Sequence, residues 1–295
     1  MDSVVIFNPS AGRNQAWRRL HSKRSLLPDR IDVLKTKHPH HAEQLALESA
    51  HRGRNLIIAA GGDGTIHEVA NGLLRSQRTD VTLGVLPIGS ANDYAFSLAK
   101  KPMGVTFAVD VGRIEEPGGK IRHFLCCLGL GLNGAVTMEA RRIRTLQGVA
   151  LYGTATLKAL RHHFRSPEMR IRIRGETQTL PTLMMSLMIA HREGGFVMAP
   201  NAVLDDGLFD YVHAGSLSRW QIMRLLPGLA LWGAPKSFPH VRQGRCPTVH
   251  LTSSDPLLVH IDGEFFAVPD ENIREFSAEI LPKRLNVQLF DHPKK

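Results

Sequence analysis

Three glycines, an acid and a hydroxyl meet in the most chemically suggestive segment of the chain. It reads Ala59-Ala60-Gly61-Gly62-Asp63-Gly64-Thr65-Ile66-His67-Glu68. An apolar run at 55–60 leads in, and a helical pattern leads out. Glycine lets backbone amides turn sharply and approach an anion closely. A helix start adds unpaired N–H groups and the positive end of the helix dipole. By physics alone this is a phosphate cradle. Thr65 and Glu68 also have the Thr-x-x-Glu spacing of a capping box, which would close the helix whatever the loop binds. Asp63 has no such structural reading. A carboxylate beside phosphate is repelled unless it orders a metal-bound water or a ribose.

Two further loops follow apolar runs. In Leu86-Pro87-Ile88-Gly89-Ser90-Ala91-Asn92-Asp93, Ser90 reads either as a donor to phosphate or ribose or as a helix cap. The first loop is Asn8-Pro9-Ser10-Ala11-Gly12. Later in the chain, Asp205-Asp206-Gly207 suits both a surface turn and a hard divalent cation. Asp262-Gly263-Glu264 lies between two strand patterns, so a tight hairpin is expected. Asp262 reads as a turn residue or as part of a site. Glu264, directly after the turn, could accept the proton of a hydroxyl.

The elements that position these residues come in two textures. Over the first hundred residues, strand patterns at 3–7, 31–34, 55–60 and 83–86 alternate with helical ones at 15–27, 40–52, 65–76 and 91–99. That alternation predicts a doubly wound, mostly parallel α/β sheet, with ligands held beyond the strands' carboxyl ends. From about residue 112 short strand patterns dominate, at 169–174, 183–190, 208–213, 249–251, 257–261, 264–268 and 285–290. Helices are expected near 140–165 and 217–232. The expectation is a nucleotide-type α/β domain over 1–115, completed by 284–295, and a mainly antiparallel β-rich domain over 116–283, with a cleft between them.

The motifs, taken in order, resemble the diacylglycerol kinase catalytic-domain family, which includes bacterial soluble lipid kinases and sphingoid-base kinases. The resemblance rests on Asn-Pro-x-x-Gly near the start, Gly-Gly-Asp-Gly-Thr followed by Asn71-Gly72-Leu73, and Pro-x-Gly-Ser-Ala-Asn-Asp. It extends to Ala199-Pro200-x-Ala202-x-x-Asp205-Asp206-Gly207-Leu208 and to Asp262-Gly263-Glu264. It implies ATP- and Mg²⁺-dependent phosphorylation of a lipid hydroxyl, with lipid entering between the domains. Diacylglycerol is the first expectation, giving phosphatidic acid. Phosphatidylglycerol, ceramide, a sphingoid base and, more distantly, NAD are the alternatives. The resemblance places nucleotide contacts at Asn8, Thr36, Gly61, Gly62, Asp63, Gly64, Thr65, Ile66, His67, Glu68 and Ser90. It places the proton acceptor at Glu264; Asp63 is expected to help order the nucleotide or its metal, and Asp262 is grouped with the catalytic residues. It places a structural Mg²⁺ at Asp206 with the carbonyls of Val203 and Leu208. The stretch Lys37-His38-Pro39-His40-His41 departs from the family pattern in being rich in His and Pro.

Other patterns carry less. Gly129-Leu130-Gly131-Leu132-Asn133-Gly134 matches G-x-G-x-x-G but lacks the acid about twenty residues on, and reads as a glycine-rich bend. The Walker pattern and Gly-x-Ser-x-Gly are absent. The 15 histidines show no zinc spacing and read as solvated or packing residues. With 43% hydrophobic and 22% charged residues, the chain of 295 is globular in composition. Three cysteines, two of them adjacent, support no disulfide framework, so a reducing cytoplasm is expected. The beginning, MDSVVIFNPSAG, reads as a strand rather than a signal peptide.

The net charge of +10 points to an anionic partner. Arg141, Arg142, Arg144, Lys158, Arg161, Arg165, Arg170, Arg172 and Arg174 face a single acid, Glu168, within 141–174. An apolar stripe of Ala150, Gly153, Leu157, Leu160 and Phe164 is expected to pack inward. The cations suit transient contact with an anionic membrane, worth about 1 kcal/mol per nearby Lys or Arg. Nucleic acid fits less well, since aromatic interleaving is almost absent. A homodimer is left open.

Overall fold

The structure is a computed structural model that describes residues 3–12, 15–143, 145–146, 148–233, 235 and 237–293. Two compact units emerge, one of Met1–Val111 with Pro282–Lys295 and one of Gly112–Leu281. Arg144 of the basic segment lies outside the described residues.

In the first unit, β1 (Ser3–Phe7), β2 (Asp32–Lys35), β3 (Leu56–Gly61) and β4 (Thr82–Pro87) alternate with α1 (Ala16–Ser22), α2 (His41–His51), α3 (Asp63–Arg75) and α4 (Asp93–Leu98). The strands stand side by side in the order β2-β1-β3-β4, all parallel. The end of a C-terminal strand, Asn286 to Leu289, joins parallel beside β4. β1 and β3 are buried along their whole length, as central parallel strands covered on both faces must be. β2 is largely exposed and charged at both ends, which suits an edge. A core of Val5, Phe7, Leu20, Ile58, Leu86 and Ile88 fills one face. Strand order reverses between β1 and β3, so the loops after them flank a switch-point crevice. The helix expected over 15–27 stops at Ser22, and a single 3₁₀ turn at Arg24–Leu26 follows.

The second unit is β-rich. Its larger sheet has the order β14-β13-β10-β7-β16-β17, antiparallel throughout. These strands are β7 (Cys127–Gly131), β10 (Met184–Met188), β13 (Phe209–Ala214), β14 (Val241–Cys246), β16 (Val259–Ile261) and β17 (Glu264–Ala267). A second antiparallel array runs from β9 (Glu176–Pro181) through β8 (Glu168–Ile173) and β15 (Thr248–Ser253) to the first half of β18 (Glu275–Leu289). β5 (Thr106–Glu115) pairs with β6 (Ile121–Phe124), and β11 (Arg192–Glu193) with β12 (Phe196–Val197). Three helices accompany the strands: α5 (Leu132–Arg142), α6 (Gly148–His162) and α7 (Arg219–Leu231).

The glycine-rich bend read at 129–134 is the turn at Gly131 between β7 and α5. One sequence expectation is corrected here. The stripe expected to pack inward on α6 is rotated. Ala155, Thr156, Ala159 and Leu160 are the buried positions, and Leu157 is 49% exposed. No helix of the described residues is long and apolar enough to cross a membrane.

Candidate active site

The four parallel strands deliver four loops to one sheet edge. Leaving β1, the Asn8 N–H donates to the Ala60 carbonyl at 3.0 Å. The Asn8 side chain spans the crevice: Nδ2 donates to Thr65 Oγ1 at 3.0 Å, and Oδ1 accepts from the Ser10 amide at 2.9 Å. Leaving β2, the Thr36 N–H donates to the Phe7 carbonyl at 2.9 Å. Leaving β3 and β4, the chain brings Gly62 and Gly89 into contact. A Cβ on Gly89 would lie 2.4 Å from the Gly62 Cα, so only glycine allows this approach. The Gly61 carbonyl accepts from Ile88 and Gly89 at 3.0 and 3.1 Å. Asn92 fastens the same loop, accepting from the Gly89 amide and donating to its carbonyl. Ser90 is exposed at its tip.

Three roles differ from the sequence reading. α3 begins at Asp63 with Gly62 as its cap, so Thr65 and Glu68 form no capping box. Glu68 instead accepts from the backbone amides of His40 and Ala42, both at 3.0 Å, and so closes the start of α2. Asp63 does have a structural partner. Its Oδ1 accepts from the Tyr94 amide at 3.1 Å in the first turn of α4, tying the two glycine loops together. His67 is buried and stacked along α3 with Asn71, whose Nδ2 donates to the His67 carbonyl at 3.0 Å. Ile66 is core. In the His-rich stretch, His38 and His41 stack at 4.7 Å, and the Lys37 amide donates to His41 Nδ1.

Two cations that the motifs do not include hold this edge, one on α1 and one directly after its last residue. The Arg19 guanidinium donates to the Ile88 and Gly89 carbonyls at 2.9 and 2.5 Å. Buried Lys23 donates to the Pro87 carbonyl at 2.9 Å and pairs with Asp291 at 2.6 Å. A single turn of helical spacing, Arg19 to Lys23, was the only sequence signal for them.

In the second unit, Ile261 pairs with Glu264 across a two-residue turn in which Asp262 and Gly263 both have positive φ, 50° and 86°. That is a type I′ turn, which Asp-Gly favours. The Asp262 carboxylate accepts from the amides of Leu125, Cys126 and Cys127 at 2.9, 2.8 and 3.0 Å. The carboxylate therefore pins the hairpin to the chain entering β7. Glu264 is half-exposed, and its Oε2 meets the Arg141 guanidinium at 2.7 Å. Arg141 also donates to the Gly263 carbonyl and lies 4.6 Å over the Phe265 ring.

Elsewhere in this unit, Asp206 accepts from the Leu208 amide at 3.1 Å and forms an ion pair with Arg245. Arg245 also faces Asp210, whose carboxyl burial holds above its usual range. Val203 is exposed on the same turn. The Arg245 guanidinium thus stands beside the carboxylate that the resemblance gives to a metal.

One polar cluster has no counterpart in the motifs. Ser186, Gly129 and His260 stand in register on three adjacent strands. Glu193 reaches the space over Gly129, where its carboxylate meets Asn133, Ser186 and His260 at 2.8–3.1 Å. Cys127 is close enough for Cys127, Glu193 and His260 to resemble a metal-ligand set. The carboxylate is already saturated by three side chains, so the cluster reads as a buried hydrogen-bond network. Its thiol is pushed far up, by its hydrogen bond with Cys126 and by burial. None of the three cysteines is in a disulfide, and all are buried.

Comparison with known proteins adds identity to this geometry. Residues 2–115 match the diacylglycerol kinase catalytic domain, and residues 127–289 match the YegS C-terminal NAD kinase beta sandwich-like domain. A diacylglycerol kinase of Mycobacterium tuberculosis is 30% identical over 89% of this chain and 88% of its own. One of Bacillus subtilis is 27% identical over 97% and 98%. The crystal structure of a diacylglycerol kinase from Bacillus anthracis superposes with a TM-score of 0.70 at 21% identity, covering 97% of this chain and 96% of that one, and so shares the fold. The chain belongs to the diacylglycerol kinase-like family of lipid kinases.

Proposed function

We propose that this protein transfers the γ-phosphoryl group of ATP to the free hydroxyl of diacylglycerol, yielding phosphatidic acid and ADP. The observation that carries the reading is the convergence of Asn8, the Gly61–Gly64 loop and the Gly89–Ser90 loop at one edge of a parallel sheet, beside the start of α3. Backbone amides and the helix N-terminus there suit a triphosphate. The relatives from Mycobacterium and Bacillus carry the diacylglycerol kinase name.

In the step itself, the bond between the γ-phosphorus and the β,γ-bridging oxygen breaks as the lipid oxygen bonds to phosphorus. Glu264 takes the hydroxyl proton, and ADP leaves. Phosphoryl transfer needs position and charge neutralisation more than covalent chemistry. Arg141 fixes the orientation of the Glu264 carboxylate, and Asp262 fixes the hairpin that carries it. Mg²⁺ entering with ATP would neutralise charge on its phosphate oxygens, and Asp63, a hard oxygen donor at the loop edge, would hold it. No step is assigned to a metal at Asp206, because Arg245 already meets that carboxylate. The exposed cations of 141–174, such as Lys158, Arg161 and Arg165, favour contact with an anionic bilayer on the cytoplasmic side.

The acceptor is tested with γ-labelled ATP and mixed micelles of diacylglycerol, phosphatidylglycerol, ceramide or sphingosine, and with NAD, each with and without Mg²⁺. Label should appear in phosphatidic acid. Label in another lipid alone would reassign the substrate, and label in NAD alone would overturn the lipid reading.

A further inference from the structure

The chain has three tryptophans, and two of them flank one helix of the second unit. Trp220, in the first turn of α7, is 84% exposed, and Trp232, directly after its last residue, is 77% exposed. No other large apolar side chain among the described residues exceeds 51%. Leaving two indoles in water is unfavourable, so a soluble protein seldom places both on one element without a use.

The helix has an inward apolar face and an exposed face that sets Trp220 and Met223 beside Arg224. Ile222, Leu225 and Leu229 point inward to the core. Trp220, Met223, Arg224 and Pro227, spaced at i, i+3, i+4 and i+7, are all exposed and share the opposite face. A single apolar stripe suffices to dock a helix on its own domain. The exposed face therefore needs a separate explanation.

Charge selects the occupant. The sequence has no Asp or Glu between Asp210 and Asp255, and none between Glu139 and Glu168. α6 lies against α7: Arg219 Nε donates to the Leu160 carbonyl at 3.0 Å, and its guanidinium sits 4.9 Å over the Phe164 ring. The outer side of α6 exposes Leu157, Lys158 and Arg161, and Arg165 is exposed just beyond its end. The two helices thus present Trp, Met and Leu among Arg and Lys, with no acid. Tryptophan prefers the boundary between headgroups and acyl chains, and Lys and Arg prefer anionic headgroups.

We infer that α7 is the membrane-docking helix of this protein, with Trp220 and Trp232 as its interfacial anchors and an anionic bilayer as its partner. The inference builds on the lipid-kinase reading and moves the main contact to α7, outside the 141–174 segment. α6 contributes cations beside it. Arg141 and Arg142, at the start of that segment, are in ion pairs with Glu264 and Glu139 and contribute less.

The test uses the whole protein, large vesicles of phosphatidylcholine with or without phosphatidylglycerol, and a Trp220→Ala, Trp232→Ala double variant. Wild type should co-sediment with anionic vesicles, and the double variant should bind at least roughly tenfold more weakly. A Trp17→Phe variant reports the α7 indoles alone: their emission should shift to the blue on binding, and acyl-chain bromines should quench it. Phosphorylation of a short-chain, water-soluble diacylglycerol should be unchanged in the double variant, while that of vesicle-borne diacylglycerol falls. Equal vesicle binding by wild type and double variant, or no binding by wild type, overturns the inference. So does a dimer that the double variant dissolves without any vesicle binding. If binding depends on the tryptophans but no lipid is phosphorylated, the docking surface stands and the kinase reading fails.

Discussion

Asn8 and Thr65 are 57 residues apart in sequence, yet Asn8 Nδ2 donates to Thr65 Oγ1 over 3.0 Å. The bond closes the crevice where strand order reverses, and so sets the separation of the first two loops. Asn8→Ala should raise the KM for ATP about five- to tenfold, the value of one part-buried hydrogen bond near 1 kcal/mol. Steady-state kinetics at saturating lipid would check it, and an unchanged KM would show that the bond does not shape the nucleotide site.

Asp262 and Glu264 share a hairpin, but they should fail in different ways. Asp262→Ala strips an acceptor from three amides in a buried strand entry. A loss of about 3 kcal/mol in urea unfolding is expected, with Asp262→Asn recovering part of it.

Glu264→Gln leaves the turn and its Arg141 neighbour in place. It should melt with the wild type while kcat falls by about a hundredfold or more, as for removal of a general base. A loss confined to KM would mean that Glu264 binds substrate without taking its proton.

Much of this site was legible in the sequence because its parts are local. A buried β-branched run, then glycines, then a helical period identify β3, its loop and α3 within about twenty residues. The roles of Glu68 and Asp63 were not legible, since their partners are His40, Ala42 and Tyr94, reached only through tertiary folding. Strands such as β14 escaped notice for a different reason. VRQGRC sets a single branched side chain among Arg, Gln, Gly and Arg, so it shows no apolar period. Arg192-Glu193-Gly194-Gly195 looks like a solvated turn, and nothing local shows that Glu193 joins a buried network.

Stability should depend on pH through His213. Its ring is buried against Thr182 at 3.0 Å, and burial, aided by Arg242, lowers its pKa from 6.5 to about 4. The folded state thus favours the neutral ring, while the unfolded chain binds a proton below about pH 6.5. This contribution is complete above pH 6.5 and is lost as pH falls toward about 4, up to about 3 kcal/mol. His213→Gln should flatten that part of the urea-stability profile.

On the proposal above, the Asp206–Arg245 ion pair holds the turn at 205–207 without a metal. Chelating divalent cations should leave the melting temperature unchanged. Arg245→Met should lower it by about 2–4 °C, as expected for about 1 kcal/mol in a chain of this size. A fall on chelation that Mg²⁺ reverses would show that a cation is bound there.

The central claim, phosphoryl transfer from ATP to a lipid hydroxyl, is tested most directly by following γ-labelled phosphate into diacylglycerol micelles. Wild type is run beside Asp63→Asn and Glu264→Gln, with all three shown to be folded. The expected result is labelled phosphatidic acid from wild type and almost none from either variant. Wild-type protein that hydrolyses or binds ATP yet leaves every lipid unlabelled would contradict the account, as would undiminished transfer by both variants.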